Sequence, residues 1–123
     1  MTKIFIDANV FLRFLTNDIP DQAFLFRDLI LRSRNGELEL WANEIVIAEI
    51  IWTLASFYNY EKSDIKNVVG PVVASGDIHI ENRTILLNAL EDMAGLNVDF
   101  NDAYIHAWMQ ENETDTIASF NEK

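Results

Sequence analysis

Short β-branched and aromatic runs alternate along this chain with longer helical stretches, and that alternation leaves few architectures open. Strand character falls on Lys3 to Asp7, Leu38 to Trp41, Asp77 to Glu81, Leu96 to Asp99 and Thr116 to Phe120. Helical patterning occupies Asn9 to Leu15, Asp21 to Arg32, Arg83 to Ala94 and Asn101 to Glu111. Two further helices start at caps, Asn43 leading to about Tyr58 and Ser63 leading to about Val69. Asn17-Asp18-Ile19-Pro20 is a turn, and Asn35-Gly36 ends the helix before it. Strands separated by helices of this kind predict βαβ units and an α/β fold. The expected architecture is a three-layer α/β/α domain with a central parallel sheet of about five strands, formed as one domain by residues 1–123. Phe11, Phe14, Phe24, Phe26 and Phe57 are the expected aromatic core.

In such sheets ligands bind outside the carboxyl ends of the strands, and carboxylates stand there. Asp7 ends the apolar run Ile4-Phe5-Ile6. Asp102 stands just past the fourth run, at the start of its helix. Glu49 interrupts Ile45-Val46-Ile47-Ala48 and Ile50-Ile51-Trp52. An unpaired carboxylate in an apolar setting costs several kcal/mol or takes up a proton, so the three acids suggest a shared counter-charge. A hard divalent cation is the simplest supplier.

Each residue also has a plainer reading. Asp7 is a good N-cap for the helix that follows it. Asp102 suits a first helical turn through the macrodipole. Glu49 has Ile45, Val46, Trp52 and Thr53 at helical neighbour spacing, an apolar face that a solvated acid does not ordinarily share. His106, four residues after Asp102, shares its face and reads as filler, and His79 reads as a surface residue.

Charge narrows the partners. The net charge of −11 argues against nucleic-acid binding by the whole surface. Residues 1–34 hold five basic and four acidic residues, whereas the rest hold four and sixteen, so a phosphate-facing surface belongs to the N-terminal third. Arg13, Arg27 and Arg34 are the candidate phosphate contacts, with a solvated basic face as the alternative. With no cysteine, disulfides and thiolate metal sites are excluded. No secretory signal and no uncharged run of ~18 residues is visible, so membrane insertion is not expected and the expected location is the cytoplasm.

Taken together, Ile4-Phe5-Ile6-Asp7-Ala8-Asn9-Val10, Ile45 to Leu54 around Glu49, and Asp99-Phe100-Asn101-Asp102-Ala103-Tyr104-Ile105 resemble the three acidic motifs of the PIN-domain ribonucleases. The likeness is nearest to the VapC-type toxins of toxin–antitoxin pairs. That resemblance implies a metal-dependent endoribonuclease in which Asp7, Glu49 and Asp102 hold one or two Mg²⁺ or Mn²⁺ ions, with Asn9 orienting Asp7 or a bound water. It also implies an RNA substrate, a cognate antitoxin and a homodimer. The family commonly places a fourth acid near its last strand, where this chain has Asn121. Asn121 brings a carbonyl oxygen without charge, so a weaker second metal position is expected, with Asp115 compensating if the strand register brings it round. The chain ends at Lys123, before the final element many members carry. A PIN-like scaffold that binds RNA or protein without turnover is the alternative function. A haloacid-dehalogenase-type phosphatase is disfavoured because Asn9 stands where that family needs an acid, and a response-regulator receiver because it lacks the paired acids and the late lysine.

Overall fold

A computed structural model describes residues 1–16 and 20–120, the side chains of 20–22 excepted. Three parallel strands form its sheet, β1 (Thr2–Phe5), β2 (Leu38–Ala42) and β3 (Ile78–Ile80), in the order β1-β2-β3. Thr2 to Phe5 pair with Leu38 to Trp41, and Leu40 to Ala42 with Ile78 to Ile80. Between and after the strands run α1 (Ala8–Thr16), α2 (Pro20–Arg34), α3 (Glu44–Ser56), α4 (Lys62–Ala74), α5 (Arg83–Leu96) and α6 (Phe100–Glu111).

Local chemistry sets several of these boundaries. Asn43 caps α3 by accepting from the Val46 N–H at 3.1 Å. Gly36, at φ +77°, ends α2 in the left-handed region that a side chain would strain. Helix α4 starts earlier than expected and runs longer. Glu61 rather than Ser63 is its cap, and the Glu61 N–H donates to the Asp64 carboxylate at 3.3 Å. Pro71 lies inside the helix, which continues to Ala74.

The core lies on one side of the sheet. Leu38, Leu40 and Ala42 of β2 and Ile78 and Ile80 of β3 are buried there, against Phe11, Phe26, Ile47, Leu54 and Leu86. Strand alternation puts Lys3, Phe5, Glu39, Trp41 and His79 on the other face. There Lys3, Phe5 and His79 are exposed and Glu39 and Trp41 half-buried. Among the described residues helices therefore cover one face, two layers where three were expected. Phe11 and Phe26 are core as read from the sequence, but Phe24 and Phe57 are 63 % and 73 % exposed.

The sheet is also narrower than the five strands expected. Leu96 is taken up as the last residue of α5, and Asn97 turns the chain at φ +55°. The Val98 N–H then returns to the Met93 carbonyl at 3.3 Å, and Asp99 caps α6, so no residue is left for a fourth strand. Thr116 to Phe120 makes no strand either. Both of its large apolar residues, Ile117 and Phe120, are exposed, so no burial favours an extended ladder. The expected turn at residues 17–19 and the position of Asn121 lie outside the described residues. No helix among the described residues is long and apolar enough to cross a membrane.

One ion pair ties α2 to the start of β3. The Arg34 guanidinium donates from Nε at 3.0 Å and from Nη2 at 2.8 Å to the two Asp77 carboxylate oxygens. Hydrogen bonding from Arg34 holds the Asp77 carboxyl below its ordinary value of 3.8. A carboxylate depressed in the folded state stabilises the fold above its unfolded pKa, and loses that contribution as pH falls through the folded value. The wild type should therefore lose stability below about pH 4 more steeply than Asp77→Asn. Urea midpoints measured down an acid series check this, and parallel curves would count against it.

Candidate active site

Asp7 stands two residues past the end of β1, at the carboxyl end of the sheet. It is exposed, and its Oδ1 accepts from the Asn9 N–H at 3.3 Å. Asp7 thus does act as the cap of α1, and the backbone of Asn9, rather than its side chain, meets the carboxylate. Around the carboxyl ends of the other two strands stands a network that the sequence did not single out. Asn82, just past β3 at φ +59°, donates from Nδ2 to Glu44 Oε2 at 3.3 Å. At Tyr104, burial, and next the Glu44 charge, push the pKa above the ordinary tyrosine value, with Asn82 acting in the opposite direction. The available signal was positional, an Asn and a Glu directly following strand runs.

Helices α3 and α6 enclose a groove next to this network. Two clefts of about 270 and 360 Å³ share Ala48, Phe100 and Asn101. Glu44, Ile45 and Tyr104 line the first, and Trp52, Lys62, Asp99 and Asp102 line the second. Asp102, the third residue of α6, is exposed there. Lys62, which also donates to Asn97 Oδ1 at 3.1 Å, brings a cation into the same cleft. Its signal in sequence was weak, a single lysine among acids.

Glu49 is exposed rather than enclosed by its apolar neighbours. The reason lies in how α3 is used. Val46, Ile47, Ile50, Ile51 and Leu54 face the core, while Ile45 and Trp52 are 72 % and 69 % exposed. On a helical wheel Glu49 falls next to Ile45 and Trp52, which line the two clefts, while Glu49 itself lines neither. His106, one turn after Asp102, is exposed as well.

The basic residues gather elsewhere. Arg27 and Arg34 line an apolar cleft of about 400 Å³ between α2 and α4, with Phe14, Ile30, Val72 and Ile78. Arg34 is engaged by Asp77, and Arg27 lies over the Phe14 and Phe24 rings at 5.8 and 6.0 Å. Arg13 is half-buried on α1. None of the three lines the α3–α6 groove. Asp115 is exposed beyond α6, where its Oδ1 accepts from the Thr116 hydroxyl at 3.1 Å, and no strand register carries it toward the acids.

Carboxylate oxygens are the right donors for Mg²⁺ or Mn²⁺. Among the described residues no group of three or more His, Asp or Glu side chains converges in this conformation. What the groove does offer is an acid, a cation and an exposed indole together, a combination suited to a phosphodiester with its base. Comparison with curated proteins and with solved structures finds no match. A family model described as PIN domain matches residues 4–123, nearly the whole chain, and the protein therefore belongs to the PIN domain family.

Proposed function

We propose that this protein is an endoribonuclease that hydrolyses RNA in the groove between α3 and α6. PIN domains are generally nucleases, and they commonly bind divalent metals. The observation that carries the reading is the placement of Asp102 and Lys62 in one cleft, with Trp52 in its wall and Glu49 exposed on the same helix as Trp52. Hydrolysis needs an acceptor for the proton of the attacking water and positive charge against the phosphate. In this proposal Asp102 and Glu49 serve the first need and Lys62 the second, while Trp52 offers a face to a base. Asp7, past the carboxyl end of β1, is the third acid of this proposal. In the cell the enzyme would be the toxin of a toxin–antitoxin pair, restrained by a protein antitoxin and acting as a homodimer, a reading supported by the likeness of its three acidic segments to such toxins.

Mg²⁺ or Mn²⁺ is the proposed cofactor, and binding it would require the three carboxylates to draw together from their present exposed positions. The spacing of those acids also favours a second reading, a PIN-fold scaffold that binds RNA without turnover. Incubation of the purified chain with mixed-sequence RNA and Mn²⁺, with and without chelator, separates the two. Cleavage that chelation abolishes is the expected result, together with calorimetric Mn²⁺ binding weakened by Asp7→Asn. Intact RNA in every tube, with no Mn²⁺ binding at millimolar concentration, would establish the scaffold.

A further inference from the structure

The groove between α3 and α6 is divided by charge. Its Asp102 cleft holds the cation Lys62. The adjoining cleft of about 270 Å³ is lined, among the described residues, by one acid, Glu44, and by no lysine or arginine. Glu44 is the first residue of α3 and half-buried. Its Oε2 accepts from Asn82 Nδ2 at 3.3 Å, and no other hydrogen bond holds the carboxylate among the described residues. A carboxylate has about four acceptor positions, so most of them are left for a ligand. The remaining wall is largely apolar or aromatic, with Ile45, Ala48, Phe100, Tyr104 and Ile105 in it. Ala48, Phe100 and Asn101 belong to both clefts, so the two adjoin.

We infer that the acidic cleft is a base subsite in which Glu44 selects guanine, an inference that rests on the ribonuclease reading and adds specificity to it. Glu44 repels a phosphate, which finds its cation one cleft away at Lys62, and the base is left for the acidic cleft. Unpaired bases are recognised by side chains against their faces and by hydrogen bonds along their Watson–Crick edges. A carboxylate only accepts. Guanine offers it two adjacent donors, the ring N1–H and the N2 amine, in a geometry that paired carboxylate oxygens match. Adenine and cytosine set an acceptor nitrogen beside their amine, and uracil holds its N–H between two carbonyls, so each turns a lone pair toward the acid. The Asn82 amide holds the carboxylate in place, which lowers the ordering cost of the contact. With a net charge of −11, the surface at large does not attract a phosphate backbone. The base contact then decides which position along an RNA is held.

Single-turnover cleavage in Mn²⁺ of oligouridylates carrying one guanine, hypoxanthine or adenine tests the subsite, beside anisotropy of the same labelled oligomers with the full chain in chelator. Guanine should exceed hypoxanthine, which lacks only the N2 amine, by about 10-fold. It should exceed adenine by about 100-fold. Glu44→Gln keeps an oxygen for Asn82 but turns an N–H toward the base, and should bring guanine down to the level of hypoxanthine. A merely structural Glu44 would leave that ratio unmoved. Equal handling of the three bases by the wild type, or a guanine preference that survives Glu44→Gln, would overturn the proposal. So would Glu44-dependent binding of a lysine peptide with no binding of any oligomer, which would make the cleft a peptide site. If guanine is bound preferentially and nothing is cleaved, the ribonuclease reading falls and the base subsite stands. If RNA is cleaved without regard to guanine, the base subsite alone falls. Neither binding nor cleavage of any oligomer overturns both.

Discussion

RNA cleavage by Asp102→Asn should fall by about 10²–10⁴-fold, the usual range for loss of a positioned acid or base. The substitution keeps shape and removes charge. Because Asp102 is exposed, packing is untouched, and the only structural cost is an acid missing from the first turn of α6, about 0.3–1 kcal/mol. Rates measured beside a urea melt therefore separate chemistry from folding. Asp7→Asn makes the same separation from the opposite side. Asn caps a helix as well as Asp does, so α1 keeps its start while the proposed catalytic charge goes. If both variants cleave at the wild-type rate, the acids are structural and the ribonuclease assignment to this groove is wrong.

Phe11→Ala should cost about 3–5 kcal/mol, a large part of the 5–15 kcal/mol that holds an ordinary domain together. Phe11 is fully buried in the core. Its ring centroid lies 5.3 Å from that of Phe26, which in turn stacks on Phe14 at 4.5 Å. Removing the first ring leaves a cavity at the contact of α1 with α2 that the others cannot close. Phe24→Ala is the control. Its exposed ring predicts a change within about 0.5 kcal/mol, although the two residues are the same type and Phe24 sits on α2, one of the two helices that make this contact. Urea unfolding of both variants gives the comparison, and equal midpoints would mean that the α1–α2 packing is misassigned.

That pair of phenylalanines also shows where the sequence was informative. Ile4 to Ile6, Leu38 to Trp41 and Ile78 to Ile80 announce strands because their alternation or apolar run matches a sheet, and the cap at Asn43 announces α3. Periodicity fails when a helix is apolar all round. In α3 it could not tell that Ile45 and Trp52 face out, so Glu49 looked enclosed when it is exposed. Leu96 to Asp99 is strand-like in composition, yet a helix that runs past Gly95 and an Asn that tolerates positive φ absorb those residues locally. For the site, Asp7 and Asp102 were legible as residues because they sit at element ends. Lys62, Glu44, Asn82 and Tyr104 were not, since only tertiary contact between α3, α4, α5 and α6 gives them common surroundings. Arg27 and Arg34 share a face as expected, but that face opens on an apolar cleft and an ion pair instead of the acids.

The parallel pairing of β2 on both its edges has a kinetic consequence. It joins β2 to β3 across the whole of α3 and α4, and to β1 across α1 and α2. Parallel strands gain their contacts only after such long stretches of chain have been closed, an entropic cost met before any reward. Sequence neighbours such as α5 and α6, joined by a short turn, carry no such delay. Assembly should thus run from helix pairs toward the sheet, and the indole of Trp41 should be among the last groups to reach its native surroundings.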